Sequence, residues 1–343
     1  MLTFGMLPFP MLLMLLLIHL TSSFKAPSAR RLITSSQEEE SMEVSFRKDA
    51  VHELFYFYRG LINGLSHHHP VHEILHHNST PECQTGITMA GKHLLIPDSD
   101  DRGAIDGYWL YMPSQWDPAK KWPVILFLQG INALGGTPEG SQKCGPVNYA
   151  LYCENSDHQF KELTGNRFII INPHLRKGDY LQRQWYNQAD ELEVILKDIF
   201  SKYSGNSRKV YLVGLSFGGT GVLGLGTRWK EKIAAMVSIC GSTERPGMGD
   251  LTLLAPIPLW ITANTGDAAA MKSIEKVMQS IEKSQGKTFI ELQNIILPAN
   301  NLNRTHIASF FQQQGHNAWD QTLSSKDLYL WMLQFSSVTG FQP

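Results

Sequence analysis

The chain has 343 residues, enough for one large α/β domain or two smaller domains. Hydrophobic residues make up 43% of it, as in ordinary globular proteins. The formal net charge of -1 gives no basis for binding nucleic acid or an acidic membrane surface, so neither is expected as a partner.

The first 23 residues resemble a secretory signal peptide. The stretch 1–20 is rich in Leu and Met and carries no Lys, Arg, Asp or Glu. Its apolar run, 11–18, is too short to span a bilayer comfortably, and a small polar stretch ending at Ser23 follows it. We therefore predict export, cleavage near Ser23 and no stable membrane partner afterwards. An uncleaved anchor is the alternative.

Two further segments precede the main domain. Residues 24–48 are polar and of mixed charge without apolar periodicity, which predicts a disordered linker. Residues 49–85 form an N-terminal extension with a histidine-rich tract. Within it, His72 and His76 have the spacing of two zinc ligands on a helix. A tract so rich in histidine produces such spacings by chance, so we predict a solvated segment and no metal site. Adventitious metal binding at these two weak candidates is the alternative.

From residue 86 to 343 the sequence alternates between strand-like and helix-like segments. The predicted strands are 87–96, 108–111, 122–128, 167–172, 209–213, 233–239, 257–262 and 289–297. The predicted helices are 187–203, the segment after residue 216, 268–284 and 319–335. Because strands and helices alternate at the spacing of βαβ units, we expect an α/β domain whose mostly parallel sheet has helices on both faces.

A serine flanked by glycines follows the strand predicted at 209–213. Ser216 has Gly214 two positions before it and Gly218 two positions after it. Small residues at these positions permit the sharp strand-to-helix turn of a nucleophile elbow, which presents the serine hydroxyl outward. The pattern predicts a nucleophile at Ser216. A tight turn that carries a surface serine is the plainer interpretation.

A serine nucleophile needs a base to take its proton and a group to orient that base. Downstream of Ser216, the loop 262–267 contains one carboxylate, Asp267, and His316 follows a glycine just before the last helix. We predict Asp267 as the acid and His316 as the base. Asp267 is alternatively only the N-cap of the next helix. Candidates less favoured by their positions are Asp250, His306 and Asp320.

An oxyanion formed during acyl transfer needs two backbone N–H donors. We predict the amide of Phe217, directly after the serine, as one donor. The second is expected from the glycine-containing loop 129–136, at Ile131. Aromatic side chains that either line the cleft or pack in the core are Trp185, Phe217 and Trp319.

These motifs resemble the α/β-hydrolase superfamily. Within it they are most similar to the secreted esterases that include feruloyl esterases, polyhydroxybutyrate depolymerases, and phospholipase/carboxylesterase-like or "predicted peptidase" proteins. The resemblance covers about residues 86–335 and is carried by Tyr108–Pro113, Pro123–Gly136, Val213–Gly221 and Gly315–Trp319. It implies hydrolysis of a carboxylic ester, from a small molecule or a polymer end, through an acyl-enzyme on Ser216. No cofactor is implied.

The sequence departs from this family at two positions. The glycine loop opens with Gln129 where the family has histidine, and the acid loop reads Ala263-Asn264-Thr265-Gly266-Asp267 in place of His-Gly-x-x-Asp. The alternative functions are a peptidase or thioesterase with the same triad, or a catalytically silent binding module. The connection 240–258 is short, so no large lid is expected.

The cysteines and glycosylation sequons fit an export route. Cys144 and Cys153 are nine residues apart in a loop-like region and are spaced to close a small disulfide. Cys240 ends an apolar run and is predicted to be a buried thiol. Asn78 and Asn303 begin Asn-x-Ser/Thr sequons, which accept glycans in a eukaryotic secretory pathway. The oligomeric state is left open.

Overall fold

The computed structural model of the protein describes residues 89–97, 103–133, 164, 166–176, 178, 183–295, 297 and 301–342. Among these residues, no helix has the length and apolar character needed to cross a bilayer. The predicted signal peptide, linker and N-terminal extension lie outside the described residues. So do the candidate side chains His72, His76, Asn78, Cys144 and Cys153.

Nine strands of the described chain form one mixed sheet. They are β1 (His93–Pro97), β2 (Ile105–Tyr111), β3 (Trp122–Leu128), β4 (Ile169–Leu175), β5 (Gly205–Leu215), β6 (Ala235–Ile239), β7 (Leu259–Asn264), β8 (Ile290–Leu292) and β9 (His306–Phe311). Their order across the sheet is β1-β2-β4-β3-β5-β6-β7-β9-β8. Strand β2 is antiparallel to β1 and β4, and the other neighbouring pairs are parallel. The predicted α/β class with a mostly parallel sheet is confirmed.

Helices connect these strands. The α-helices are α1 (Ala189–Lys202), α2 (Phe217–Trp229), α3 (Ala268–Gln285), α4 (Trp319–Leu323) and α5 (Lys326–Met332). Short 3-10 helices occupy Ile131–Ala133, Trp185–Gln188 and Leu251–Leu254. The last of these is the one helix between β6 and β7, so this connection contains no large lid.

The parallel strands place their carboxyl ends along one edge of the sheet. Gln129 follows β3, Ser216 follows β5, Cys240 follows β6, and Asn264 is the last residue of β7. The strands themselves are held by apolar burial: residues 124–128 of β3 and all of β4 are buried. Ligand sites in open α/β sheets lie at this carboxyl edge, and the candidate residues meet there.

One strand inside the sheet differs from the sequence prediction. Strand β9 was not predicted, yet it lies between β7 and β8 and all of its residues are buried. Its polar members have partners inside the protein. The Trp260 indole N–H donates to Ser309 Oγ at 2.9 Å, and His306 Nδ1 lies 2.9 Å from Thr305 Oγ1. The strand predicted at 289–297 is reduced to the three residues of β8.

The prediction of a single final helix at 319–335 is wrong. Helix α4 ends at Leu323 and α5 begins at Lys326, with Ser324 and Ser325 between them. The Ser324 hydroxyl donates to the Asp320 carbonyl at 2.7 Å, and the Ser325 hydroxyl donates to a carbonyl of another segment. Serine hydroxyls that bond main-chain carbonyls compete with helical hydrogen bonds, which accounts for the break.

Candidate active site

Ser216 lies in a sharp turn between β5 and α2. Its φ of 54° and ψ of -116° are a conformation that residues with a side chain rarely adopt; such strain costs about 1–3 kcal/mol. The turn is held by two backbone hydrogen bonds. The Ser216 N–H donates to the Ile239 carbonyl at 2.7 Å, and the Thr220 N–H donates to the Ser216 carbonyl at 3.0 Å. This is the geometry of a nucleophile elbow.

The two glycines that flank the serine lie in close contact with backbone atoms. A β-carbon on Gly214 would overlap the Gly218 carbonyl group, and one on Gly218 would overlap the Leu128 carbonyl oxygen at the end of β3. Any side chain at either position would therefore push the first turn of α2 away from the sheet. This contact gives a steric reason for both predicted elbow glycines.

The Ser216 hydroxyl faces His316. Serine at the start of a helix commonly caps that helix with its side chain, but Ser216 makes no such bond with α2. Its Oγ lies 2.9 Å from His316 Nε2. The hydroxyl is therefore placed where a histidine base could accept its proton.

Asp267 satisfies both interpretations drawn from the sequence. Its Oδ1 accepts from the Ala270 N–H at 3.1 Å and caps α3, while its Oδ2 lies 2.5 Å from His316 Nδ1. The Asp267 side chain is 10% exposed, whereas that of His316 is 40% exposed. A proton on Nδ1 that is donated to Asp267 leaves Nε2 free to accept from Ser216.

The less favoured candidates have other partners. His306 lies in β9 against Thr305. Asp250 accepts from the Thr252 N–H at the start of a 3-10 helix, and this bond lowers the pKa of Asp250. Asp320 accepts from the Asn317 side chain, and burial raises the pKa of Asp320.

The loop after β3 lies against the elbow. A β-carbon on Gly130 would lie 2.7 Å from Leu215 Cδ1 and 3.7 Å from Ser216 Cβ. The next residue, Ile131, begins a 3-10 helix, and Phe217 begins α2. The first amides of a helix have no acceptor within that helix, and they favour negative charge. The two predicted oxyanion donors thus lie at helix starts, one directly after Ser216 and one in the loop that packs against the elbow.

Gln129, where the sequence departs from the family pattern, is fully buried. Its Nε2 donates to Asn172 Oδ1 at 2.6 Å, and its carbonyl accepts from the Trp185 indole N–H at 3.1 Å. The side chain therefore fixes the start of the loop that carries Ile131. Trp185 is also fully buried, so it packs in the core and lines no cleft.

The other two aromatic candidates differ in exposure. Phe217 is 5% exposed. Trp319 is half-buried, and its ring meets the His316 ring edge-on with centroids 5.8 Å apart. Trp319 thus covers one side of the histidine.

Sequence reasoning missed the contacts that two side chains make with the backbone of the His316 loop. Asn264 Nδ2 donates to the Gly315 carbonyl at 2.9 Å and to the Asn317 carbonyl at 3.1 Å. Cys240 Sγ lies 3.0 Å from the His316 carbonyl. The one available signal was the unusual acid loop, in which Asn264 takes the place of the family's glycine.

Cys240 is the buried thiol that the sequence predicted. It is free and 3% exposed, and its burial raises its pKa to about 12. Potential metal-ligand atoms of Cys240, Asp267 and His316 lie within 4.8 Å of one another, and no second such group occurs in the described part of the chain. Each of these side chains already bonds another group of the site.

Comparison with solved structures identifies the fold. A thermostable esterase matches with a TM-score of 0.53 and 17% identity over 71% of this chain and 63% of that structure. The chain therefore spans less than two thirds of that neighbour. A serine-to-alanine mutant of the feruloyl esterase module from Clostridium thermocellum, complexed with sinapinate, matches with a TM-score of 0.51 and 13% identity. That match covers 74% of this chain and 90% of the module.

At these identities the likeness establishes the fold alone. The described chain has the α/β-hydrolase fold, which confirms at the level of the fold the resemblance drawn from the motifs. No protein-family model and no curated protein matches the sequence.

Proposed function

We propose that this protein is a serine hydrolase that cleaves carboxylic esters. The observation that carries the proposal is the continuous contact from Ser216 Oγ to His316 Nε2 at 2.9 Å and from His316 Nδ1 to Asp267 Oδ2 at 2.5 Å. These three side chains come from three separate loops, and they meet at the carboxyl edge of the sheet. A tight turn that merely carries a surface serine would not account for these two contacts.

Acylation begins when Ser216 Oγ attacks the ester carbonyl carbon while His316 Nε2 takes the hydroxyl proton. Asp267 keeps the imidazole in the required tautomer and stabilises the imidazolium that forms. The tetrahedral intermediate collapses as the bond to the leaving oxygen breaks, and His316 gives its proton to the departing alcohol. The product of this half-reaction is an acyl group on Ser216 Oγ.

Deacylation repeats these steps with water as the nucleophile. His316 removes a proton from water, the hydroxide attacks the acyl carbonyl, and the proton returns to Ser216 as the carboxylic acid leaves. In both halves the oxyanion is bound by the Phe217 and Ile131 amides. One such donor contributes about 3 kcal/mol to lowering the barrier.

The substrate is proposed to be a small ester or an ester at the end of a polymer. One structural neighbour is a feruloyl esterase module complexed with sinapinate, so aromatic esters belong in the first assays beside short-chain and long-chain esters. A peptide amide and a thioester test the alternative activities on the same triad.

Export through the secretory route completes the proposal. It rests on the apolar start of the sequence, and it makes Asn303 a candidate glycan acceptor. Asn303 is exposed in a turn before β9. The expected result is a loss of mass on enzymatic deglycosylation of the secreted protein that is smaller by one glycan in Asn303→Gln, since Asn78 is the other sequon.

Labelling with a fluorophosphonate tests the nucleophile. We expect one label per chain in the wild type, none in Ser216→Ala, and full labelling in Ser201→Ala, which removes an exposed serine from α1. Labelling that survives in Ser216→Ala contradicts the assignment. A wild type that neither labels nor hydrolyses any ester, thioester or amide supports the silent binding module instead.

The proposed steps use only side chains and amides of this chain, so no cofactor is invoked. Ester hydrolysis should persist in the presence of a chelator. Loss of activity that zinc restores would instead point to the His72 and His76 tract.

A further inference from the structure

His316 lies on an irregular loop, yet both nitrogens of its ring are within hydrogen-bond distance of a partner, Asp267 and Ser216. Residues 312–318, which connect β9 with α4, contain only bends and residues without regular secondary structure. Gly315 has a φ of 81°, which favours glycine. Loops of this kind lack the repeating hydrogen bonds of helices and strands, so their backbone groups need other partners. The position of the imidazole therefore depends on what holds this backbone.

Three consecutive carbonyl oxygens of the loop are held from below by two side chains. Asn264 Nδ2 donates to the carbonyls of Gly315 and Asn317. The thiol of Cys240 donates to the carbonyl between them, that of His316, at 3.0 Å. Asn264 ends β7 and Cys240 follows β6, and these strands are neighbours in the sheet. We call this pair of side chains the His316 clamp.

Both members of the clamp are shielded from water. Asn264 is fully buried and Cys240 is 3% exposed. The hydrogen bonds that they make to the loop carbonyls are partly buried, and removing these donors releases the carbonyls that they restrain. The ring of His316 moves with them, because its own backbone lies between the two carbonyls that Asn264 binds.

We propose that Asn264, supported by Cys240, is a positioning residue for His316. The proposal rests on the proposed role of His316 as the general base. It explains why an asparagine ends β7: its amide supplies two N–H donors at one atom, and both are used. The isosteric aspartate would offer only acceptors to the same two carbonyl oxygens.

The first test compares reaction rates per active site. In Asn264→Ala and Asn264→Asp, kcat per fluorophosphonate-titrated site should fall roughly 10- to 100-fold, since a shift of about 1 Å at a reacting group has this effect. KM should not change, because the clamp does not touch substrate. The matched control is Ser309→Ala, which removes a buried hydrogen bond to Trp260 in the next strand and leaves the clamp intact.

The second test needs no activity. The proton between His316 Nδ1 and Asp267 should give a low-field proton NMR resonance, because it lies in a short charge-assisted hydrogen bond. Loss of the resonance in Asp267→Ala assigns it. Asn264→Ala should shift or broaden it, whereas Ser309→Ala should leave it unchanged. A wild type that neither labels with a fluorophosphonate nor hydrolyses any ester, thioester or amide would refute the proposed function. The proton resonance would still test the clamp in that protein.

Cys240 supplies a second route if the Asn264 variants do not fold. Cys240→Ala should lower kcat per site several-fold, and Cys240→Ser should recover part of the loss, because a hydroxyl is again a donor to the His316 carbonyl. The proposal is overturned if folded Asn264→Ala keeps the wild-type kcat per site and resonance. It is equally overturned if Ser309→Ala lowers kcat per site as much as Asn264→Ala does. If the Asn264 variants do not fold, it is overturned when Cys240→Ala matches the wild type in both kcat per site and the proton resonance.

Discussion

Acid should destabilise the protein through one buried histidine, His306. This residue begins β9, is 3% exposed and packs edge-on against the Phe289 ring at 5.2 Å. Its Nδ1 lies 2.9 Å from Thr305 Oγ1, and its buried Nε2 has no hydrogen-bond partner among the described residues. Burial, and secondarily the nearby Lys287 ammonium, lower the pKa of His306 from 6.5 to about 4.

The direction and size of the effect follow from this pKa. Above pH 6.5 His306 is neutral in both the folded and the unfolded protein. As the pH falls from 6.5 toward about 4, the unfolded chain takes up a proton at His306 that the folded protein does not, so folding stability is lost. Below about 4 the folded state is protonated as well, so this loss levels off. At about 1.4 kcal/mol for each pKa unit, the total loss is about 3 kcal/mol.

Urea denaturation of the wild type and of His306→Phe at neutral pH and near pH 4 measures this contribution. Other titrating groups affect both proteins alike, so their effects cancel in the comparison. The free energy of unfolding lost on acidification should be about 3 kcal/mol smaller in His306→Phe than in the wild type. His306→Gln should behave in the same way, since it too lacks a proton to gain. Equal losses in all three proteins would refute the reasoning.

Three further outcomes are expected. Asp267→Asn should keep the α3 cap and hence its stability, because asparagine is an equally good N-cap, while kcat for ester hydrolysis falls roughly 10³- to 10⁴-fold through loss of the correct His316 tautomer. Gly218→Ala should lower the free energy of unfolding by about 2–3 kcal/mol in a denaturant titration, because its β-carbon overlaps the Leu128 carbonyl. Cys240, whose burial raises its pKa to about 12, should resist iodoacetamide in the folded protein and react after unfolding, as mass spectrometry would show; rapid native alkylation would contradict its burial.

The features that the sequence predicted well are local ones. The apolar run 122–128 became β3 with the expected bounds, and α3 begins at Ala268 as its N-cap Asp267 indicated. The elbow could be recognised because both of its required glycines fall within five residues of sequence, from Gly214 to Gly218, even though the carbonyl that Gly218 approaches belongs to Leu128. In each case the residues that signal the structure lie close together in the sequence.

The features that were missed depend on partners distant in sequence. Strand β9 looks interrupted by Ser309, which is compatible with a buried strand only because the Trp260 indole, 49 residues earlier, donates to it. Asn264 likewise binds carbonyls 51 and 53 residues further along the chain. Neither partner can be inferred from hydrophobic periodicity, since the periodicity reports burial and not the pairing of polar groups.

The two departures from the family pattern bear on whether the site is active. Both replace a family residue with an amide side chain, and both amides are fully buried. Gln129 binds Asn172 at the start of the loop that carries Ile131, and Asn264 binds the loop that carries His316. In a silent binding module, nothing requires hydrogen bonds that fix these two loops relative to Ser216, and burying a polar amide has a cost. The changed residues therefore favour an active hydrolase whose loops are held differently over a module that has lost its chemistry.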